Sequence, residues 1–465
     1  MRRTIRHLRQ LRVNRFRTQP AALLLFVALL ASVSPAEAQN AGSAPAARKE
    51  PAEVKIEKEL VSEEDLSDWR KTERQNFTMA MYSGKLNGQT QPGIAKGIQM
   101  LIHEMSLKSR RDTLSEVRRK IIREIDPNAK GQQMREFVMT EIIKRATELL
   151  DGNYHVRMHA VLLISELNID PGQYPRKPPV AHVNGVPTLL DIVDPPQNAI
   201  KQPVAVRVLA ARGIARLLHE GRQTLPANQK LTADVAGRVL SQLSKRNDPW
   251  YTQRLMDALI ESALQTVSID GNSPRPLIVE ALARLMTDTK QPYSVRTHAF
   301  YCLGRTPMPG GINAAPIAWS VSQLSSQIAT DINQGRIDGT QGYFLLQTIY
   351  LGFQPDTQNE RTETTTDGRG KAGLVNTLPS QPIQNAYRDF LPLFNGVIQI
   401  LVNNNRVIVK PEHIQTLRQV QKPQDLTIAN GGPEIVKPLT PPNPPAQAGN
   451  GANPRGNGQV NQPAG

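Results

Sequence analysis

The sequence predicts an all-α protein, an α-solenoid built from repeated pairs of antiparallel helices. Apolar residues recur with helical spacing through most of residues 76–410, and similar segments return every 42 to 50 residues. Sequences typical of strands are short and few. A single helix pair cannot bury its apolar face, whereas stacked pairs share a continuous core. The prediction therefore requires several consecutive pairs.

Residues 1–38 have the layout of a secretory signal peptide. Seven arginines precede the apolar run Ala21–Val33, and Ala36-Glu37-Ala38 provides a small-x-small cleavage site. The run has 13 residues, which is short for a membrane span. We expect export by the secretory route and cleavage after Ala38, which would place the protein in the periplasm, at the envelope or outside the cell. Only an uncleaved signal would leave it attached to a membrane.

Charge and cysteine content exclude several classes of site. Residues 1–38 hold seven of the 56 basic and one of the 41 acidic residues, so the remainder has 49 and 40, a net charge of +9. This mild excess fits an anionic polymer or surface, but with 5% aromatic residues the sequence has no specific nucleic-acid signal. A single cysteine excludes internal disulfides, zinc ribbons, cysteine-bound iron–sulfur clusters and two-cysteine haem attachment.

Composition also divides the chain. We expect a flexible polar leader at 39–75, with room for one short helix, and the helical-repeat domain at 76–410. Residues 355–382 are polar and contain few large apolar residues, which predicts a long exposed loop inside that domain. Residues 411–465 should form an extended segment followed by a disordered tail rich in Pro, Gly and Asn.

The repeat is most visible on the second helix of each pair. Its signature is Val-Arg with an Ala three residues after the Arg. The third copy matches this signature only in part. The four copies lie at 154–167, 204–218, 250–264 and 293–305; their arginines are Arg157, Arg207, Arg254 and Arg296, and the alanines are Ala160, Ala210 and Ala299, with Ala258 displaced by one. Helical patterns precede them at 131–150, 185–193, 231–243 and 276–286. Others at 93–105, 112–125, 316–332, 341–353 and 383–402 extend or cap the stack.

These repeats resemble the HEAT and armadillo-like families of helical repeats. The resemblance covers roughly residues 130–305, and more loosely 95–403. It implies that the recurring arginine packs one repeat against the next, often beside an acidic group, although no regular acidic partner is visible here. It also implies that the protein binds a partner rather than catalysing a reaction.

One copy contains the only cysteine, Cys302, one helical turn after His298. On a helix these side chains share a face, and such a pair could supply a nucleophile and its base. Alignment of the repeats, however, gives Cys302 the position that Leu163 and Gly213 occupy in other copies, where the residues are apolar or small. We therefore interpret Cys302 as a core residue, with redox sensing or catalysis as the alternatives.

Other candidates for chemistry are few. His155 and His159 are the candidate metal ligands because their i, i+4 spacing suits a transition metal, but no third ligand is indicated. The acidic run 62–68 is interpreted as a solvated face, and Asp191 and Asp194 lie one turn apart without a visible cleft. No GxxxxGK[ST], strand-linked GxGxxG or GxSxG motif occurs. We expect no catalytic residues and no cofactor.

Three functions remain open. The first is an exported scaffold that binds another protein through a shallow groove lined by one set of helices. The second is a binder of an anionic envelope polymer through basic solvent faces that include Arg212 and Arg216. The third is a helical-toroid enzyme acting on polysaccharides, which would need carboxylates or histidines converging in a cleft.

Overall fold

The computed structural model describes residues 58–173, 176–197, 199–245, 247–268, 273–354, 373–402 and 408–429. Within them the chain is predominantly helical, as predicted. Its two short strands, Asn168–Asp170 (β1) and Val180–Ala181 (β2), pair antiparallel. None of the described helices is long and apolar enough to cross a membrane. The predicted signal peptide, residues 1–38, and the tail from residue 430 lie outside the described residues.

Seventeen α-helices are described, and every helical pattern named above overlaps one of them, although several predicted segments extend a few residues past the helix end. They are α1 Glu63–Thr72, α2 Arg74–Ser83, α3 Thr90–His103, α4 Leu114–Ile125, α5 Gln132–Thr147, α6 Tyr154–Ser165, α7 Val186–Val193, α8 Val204–Glu220, α9 Gln229–Leu243, α10 Pro249–Glu261, α11 Leu277–Thr287, α12 Tyr293–Arg305, α13 Ala314–Asn333, α14 Gly339–Phe353, α15 Leu374–Thr377, α16 Gln381–Val402 and α17 Pro411–Arg418.

The helical domain begins earlier than residue 76, the expected boundary. The acidic run 62–68 starts α1, because the Ser62 side chain accepts a hydrogen bond from the Asp65 backbone N–H and acidic residues fill the first turn. On the opposite face of the helix, Leu66 and Trp69 are buried in the main core. The run is therefore a helix start that belongs to the folded domain.

Parts of the segments predicted as an exposed loop and an extended tail belong to the folded domain. Residues 355–372 lie outside the described residues, but Leu374 is fully buried and α16 already begins at Gln381. Beyond residue 411, α17 buries Ile414 and Leu417, which lie on one face at i, i+3 spacing. Further on, the carbonyl of Ile428 accepts a 2.7 Å hydrogen bond from the Asn313 N–H. The C-terminal segment therefore packs on the domain up to residue 429.

The helices pack in two series. The second helix of each pair contacts the equivalent helix of the next pair, from α4 through α6, α8, α10, α12 and α14 to α16; we call this series the second-helix row. Among the first helices, α3 contacts α5, and α7, α9, α11 and α13 contact one another in succession, but α5 and α7 make no comparable contact. The first series is thus interrupted once, between α5 and α7.

Glycines set the closest approaches in the second-helix row. A Cβ atom added at Gly304 of α12 would lie 2.1 Å from the carbonyl oxygen of Gly352 on α14. One added at Gly213 of α8 would lie 2.1 Å from Oγ of Ser165, the last residue of α6. Both distances are far inside van der Waals contact, so these helices pack this closely only because a side chain is missing.

Substitution of these glycines tests the packing. Gly304→Ala should lower the free energy of unfolding by about 2 kcal/mol, because the rigid backbone of Gly352 cannot move aside. Gly237→Ala on α9 is the matched control, since nothing lies within 4 Å of its added Cβ. There alanine should stabilise the helix by about 0.5 kcal/mol or more. Chemical unfolding followed by circular dichroism measures both, and equal effects at the two sites would contradict the packing.

Candidate functional site

Three of the four recurring arginines are buried between successive helix pairs. Arg157 on α6 donates from Nε to the carbonyl of Gly152 (2.7 Å) and from Nη1 to Oε1 of Gln202 (3.3 Å). Gln202 precedes α8 in the next pair, and its amide donates back to the carbonyl of Leu150 (2.9 Å). This guanidinium therefore joins the end of one pair to the start of the next.

Arg207 and Arg296 occupy equivalent places in their own pairs. The guanidinium of Arg207 lies over the ring of Tyr251 on α10, 4.3 Å from the centroid. Arg296 donates from Nε to the carbonyl of Met286 at the end of α11 (3.0 Å) and from Nη1 to Gln327 on α13 (3.3 Å). In these contacts the partners are an aromatic ring, an amide and a carbonyl rather than the acidic group that the resemblance implies.

Arg254 is not buried between helix pairs as the other three arginines are. Its predicted role as an equivalent packing residue is therefore corrected. It is partly exposed and pairs with Asp257 on its own helix at 2.7 Å. If Ala258 is aligned with the buried alanines of the other copies, the arginine position falls on Leu255, which is fully buried. The third copy is therefore shifted by one residue, and Arg254 faces about 100° away from the packing position. Ala160, Ala210 and Ala299 are all fully buried.

The same shift produces a cluster that sequence reasoning missed. In the corrected register, Asp257 on α10 is equivalent to His298 on α12, and the two meet: His298 Nε2 lies 2.7 Å from Asp257 Oδ1. Cys302 follows one turn later, and the ligand atoms of the three residues all lie within 4.8 Å of one another. Asp257 could have been found only by aligning the degenerate copy on its alanine.

Cys302 is not placed as a nucleophile. It is fully buried, and burial raises the pKa of its thiol well above the usual value. The geometry favours the interpretation of Cys302 as a core residue in the protein as it stands.

The predicted histidine pair lacks a third donor. His155 and His159 belong to no group of three or more potential ligands within the described residues. Burial lowers the pKa of His159 to about 4, and the positive charge of Arg118 acts in the same direction. Because no third donor lies beside them among the described residues, the structure adds no support for this pair as a metal site.

The paired carboxylates serve the packing of the first helices. Arg238 of α9 contacts both: its Nη2 lies 2.9 Å from Asp191 Oδ1, and its Nε lies 3.3 Å from Asp194 Oδ2. Asp191 is at the end of α7, so this ion-pair network joins α7 to α9. Asp191 and Asp194 are therefore partners of one arginine rather than an acid and a base.

The polar surface of the second-helix row carries both signs of charge. Arg212 is exposed, but several neighbouring arginines have acidic partners. These pairs are Arg118 with Glu166, Arg216 with Glu220 and Arg222 with Glu261. Such a mixture does not favour a continuous basic stripe, which binding of an anionic polymer would require.

The interruption between α5 and α7 opens a cavity of about 590 Å³, which we call the groove. Its walls come from α5 and the turn after it, from α7, and from the segments that precede α1 and α8. Leu60, Ile192 and Ile200 supply apolar surface, and Ile200 is 58% exposed. Gln202 lines the groove as well, so the contact with Arg157 also fixes one wall of it.

Three carboxylates line the groove. Each has a cationic partner: Glu148 pairs with Arg145, Asp151 with Lys58 and Asp191 with Arg238. Of these cations, only Lys58 itself lines the groove, where it forms part of the segment that precedes α1. The acidic wall thus pairs with a lysine side chain from the segment that precedes α1.

No protein-family model, curated protein or solved structure matches the chain.

Thiol labelling tests the assignment of Cys302. A thiol-reactive reagent should modify the native protein far more slowly than the protein unfolded in denaturant, because the thiol is buried and its pKa is raised. Absorbance of the released chromophore measures both rates. Labelling of the native protein at the rate of a free thiol would contradict the buried assignment.

Proposed function

We propose that the protein is an exported helical-repeat scaffold of the HEAT or armadillo-like type that binds another protein. The second-helix row supports the solenoid interpretation, because helix pairs that stack in sequence order are the defining feature of such repeats. The layout of residues 1–38 supports export to the periplasm, the envelope or the extracellular space. A scaffold without a possible internal disulfide relies on burial alone, and the long continuous core supplies it.

The single observation that carries the binding function is the groove. A solenoid presents extended surfaces, and a gap in its helix series offers a partner both apolar contacts and fixed charges. We propose that the groove receives an extended segment of the partner protein in which a lysine or arginine is flanked by aliphatic residues. Leu60, Ile192 and Ile200 would contact the aliphatic side chains, and Glu148, Asp151 and Asp191 would attract the basic one.

Lys58 supports the choice of a basic segment. Its ammonium group pairs with Asp151, although both side chains keep more than 40% of their surface exposed. An exposed pair of this kind contributes little to stability, so a partner's basic side chain could displace Lys58 at small cost. The carboxylates face cationic partners rather than one another, which suits binding better than the acid–base pair of a polysaccharide-cleaving toroid.

Peptide selection tests the proposal. A random peptide display library is selected on the immobilised protein, and the enriched peptides are measured by fluorescence anisotropy. The proposal expects peptides with Lys or Arg beside aliphatic residues. Asp151→Lys should weaken their binding at least tenfold, because a charge in the groove is reversed. Glu412→Lys makes the same change on the exposed face of α17 and should leave affinity unchanged.

Two results would contradict this assignment. One is the enrichment of peptides without basic residues. The other is an equal response to Asp151→Lys and Glu412→Lys, which would show that net charge rather than the groove determines binding. Ile200→Ser tests the apolar contribution to binding separately from the charge contribution. It removes an exposed apolar side chain, so it should weaken binding while leaving the free energy of unfolding nearly unchanged.

A further inference from the structure

The cluster on α10 and α12 gathers three different potential ligands on the second-helix row. Asp257 offers a carboxylate oxygen, His298 an imidazole nitrogen and Cys302 a sulfur, all within 4.8 Å of one another. The side chains of Asp257 and His298 are 19% and 17% exposed, whereas Cys302 is fully buried beneath them. The cluster therefore has a closed base and a side that opens to solvent.

We infer that Asp257, His298 and Cys302 bind a transition-metal ion of the zinc class, with solvent or an external ligand in the fourth position. Thiolate, imidazole and carboxylate are the three ligand types that Zn²⁺ takes in proteins, and three protein ligands with one open position are typical of zinc sites other than purely structural ones. A soft sulfur ligand disfavours Mg²⁺ and Ca²⁺ at such a site.

The geometry requires only a small adjustment. Zinc–sulfur and zinc–nitrogen bonds of about 2.3 and 2.0 Å place tetrahedral ligand atoms about 3.5 Å apart. No separation in the cluster exceeds 4.8 Å, so each must shrink by at most about 1.3 Å, which rotation of the partly exposed Asp257 and His298 side chains can provide. The 2.7 Å contact between these two side chains must open slightly to admit the ion.

Neighbouring side chains hold the ligands in place. Arg254 binds Asp257 through Oδ2, which leaves Oδ1 directed at His298, and the ring of Tyr301 stacks on the imidazole at 5.4 Å. Such outer contacts orient the ligands of metal sites. The guanidinium of Arg305 lies 4.2 Å from the centroid of the Tyr301 ring. The positive charges of Arg254 and Arg305 oppose a bound cation, whereas the negative charges of Asp257 and Glu261 favour it.

Metal binding at this cluster releases one proton and leaves the site without net charge. On binding, the Cys302 thiol loses its proton to solvent, and His298 coordinates as a neutral imidazole through the ring nitrogen that carries no proton. A thiolate and a carboxylate then neutralise a divalent ion.

The chain offers its own comparison site. His159 on α6 is the repeat equivalent of His298, but Leu163 takes the position of Cys302. Binding at the proposed site should therefore depend on His298 and not on His159. A metal held only by the pair His155 and His159 would have no sulfur ligand.

Cobalt binding tests the inference, because Co²⁺ replaces Zn²⁺ in such sites and absorbs light. One equivalent of Co²⁺ added to the metal-free protein should give visible bands of a four-coordinate ion and a near-ultraviolet thiolate-to-cobalt band, and Zn²⁺ should remove both. Cys302→Ser should abolish the near-ultraviolet band, with Cys302→Ala as a second variant if the serine impairs folding. His298→Gln should weaken Co²⁺ binding at least tenfold, and His159→Gln should have no effect.

Three results would overturn the inference. They are the absence of a thiolate band at stoichiometric Co²⁺, a band that is unaffected by both His298→Gln and Asp257→Asn, and binding that is lost in His159→Gln. Circular dichroism melting of each variant without metal establishes that a lost band reflects a lost ligand rather than an unfolded chain.

Discussion

Buried guanidinium groups are the interaction on which the stacking of this protein depends. Arg157, Arg207 and Arg296 are between 2% and 8% exposed, and each contacts the pair that follows its own. Burying a charge is unfavourable unless hydrogen bonds or a polarisable ring replace water. The carbonyl of Gly152, in the turn between α5 and α6, provides such a bond for Arg157, and the carbonyl of Met286, at the end of α11, provides one for Arg296. The register of the stack is thereby tied to polar contacts that only the correct neighbour supplies.

The three-ligand cluster and the groove both lie where the regular packing of helix pairs is interrupted. At Leu255 an aliphatic side chain takes the place of the arginine, and the one-residue shift directs Arg254 and Asp257 outward, where Asp257 meets His298. Between α5 and α7 the first helices separate, and the groove opens beside Gln202, the partner of Arg157. A regular array would contain neither the three-ligand cluster nor the groove.

The helices and much of the packing could be predicted from the sequence, because apolar spacing and the recurring Val-Arg-Ala signature are local signals. Ser62 and the acidic residues after it are a local signal for the start of α1. The segment was nevertheless predicted as a leader because it is polar, and the core contacts of Leu66 and Trp69 are made with residues distant in sequence. Asp257 was missed because its role depends on which residue of a neighbouring helix faces it. The groove is likewise a property of two helices that do not meet, which no local pattern indicates.

One comparison of arginines tests the account most directly. Arg296 and Arg254 are both recurring arginines of the repeat, but one is buried between pairs and the other is partly exposed beside Asp257. Arg296→Met should lower the free energy of unfolding by about 2–3 kcal/mol, since buried hydrogen bonds to a charged group are lost. Arg254→Met should change it by less than about 1 kcal/mol. Equal losses at the two positions, measured by denaturant unfolding, would contradict the claim that buried arginines set the stack.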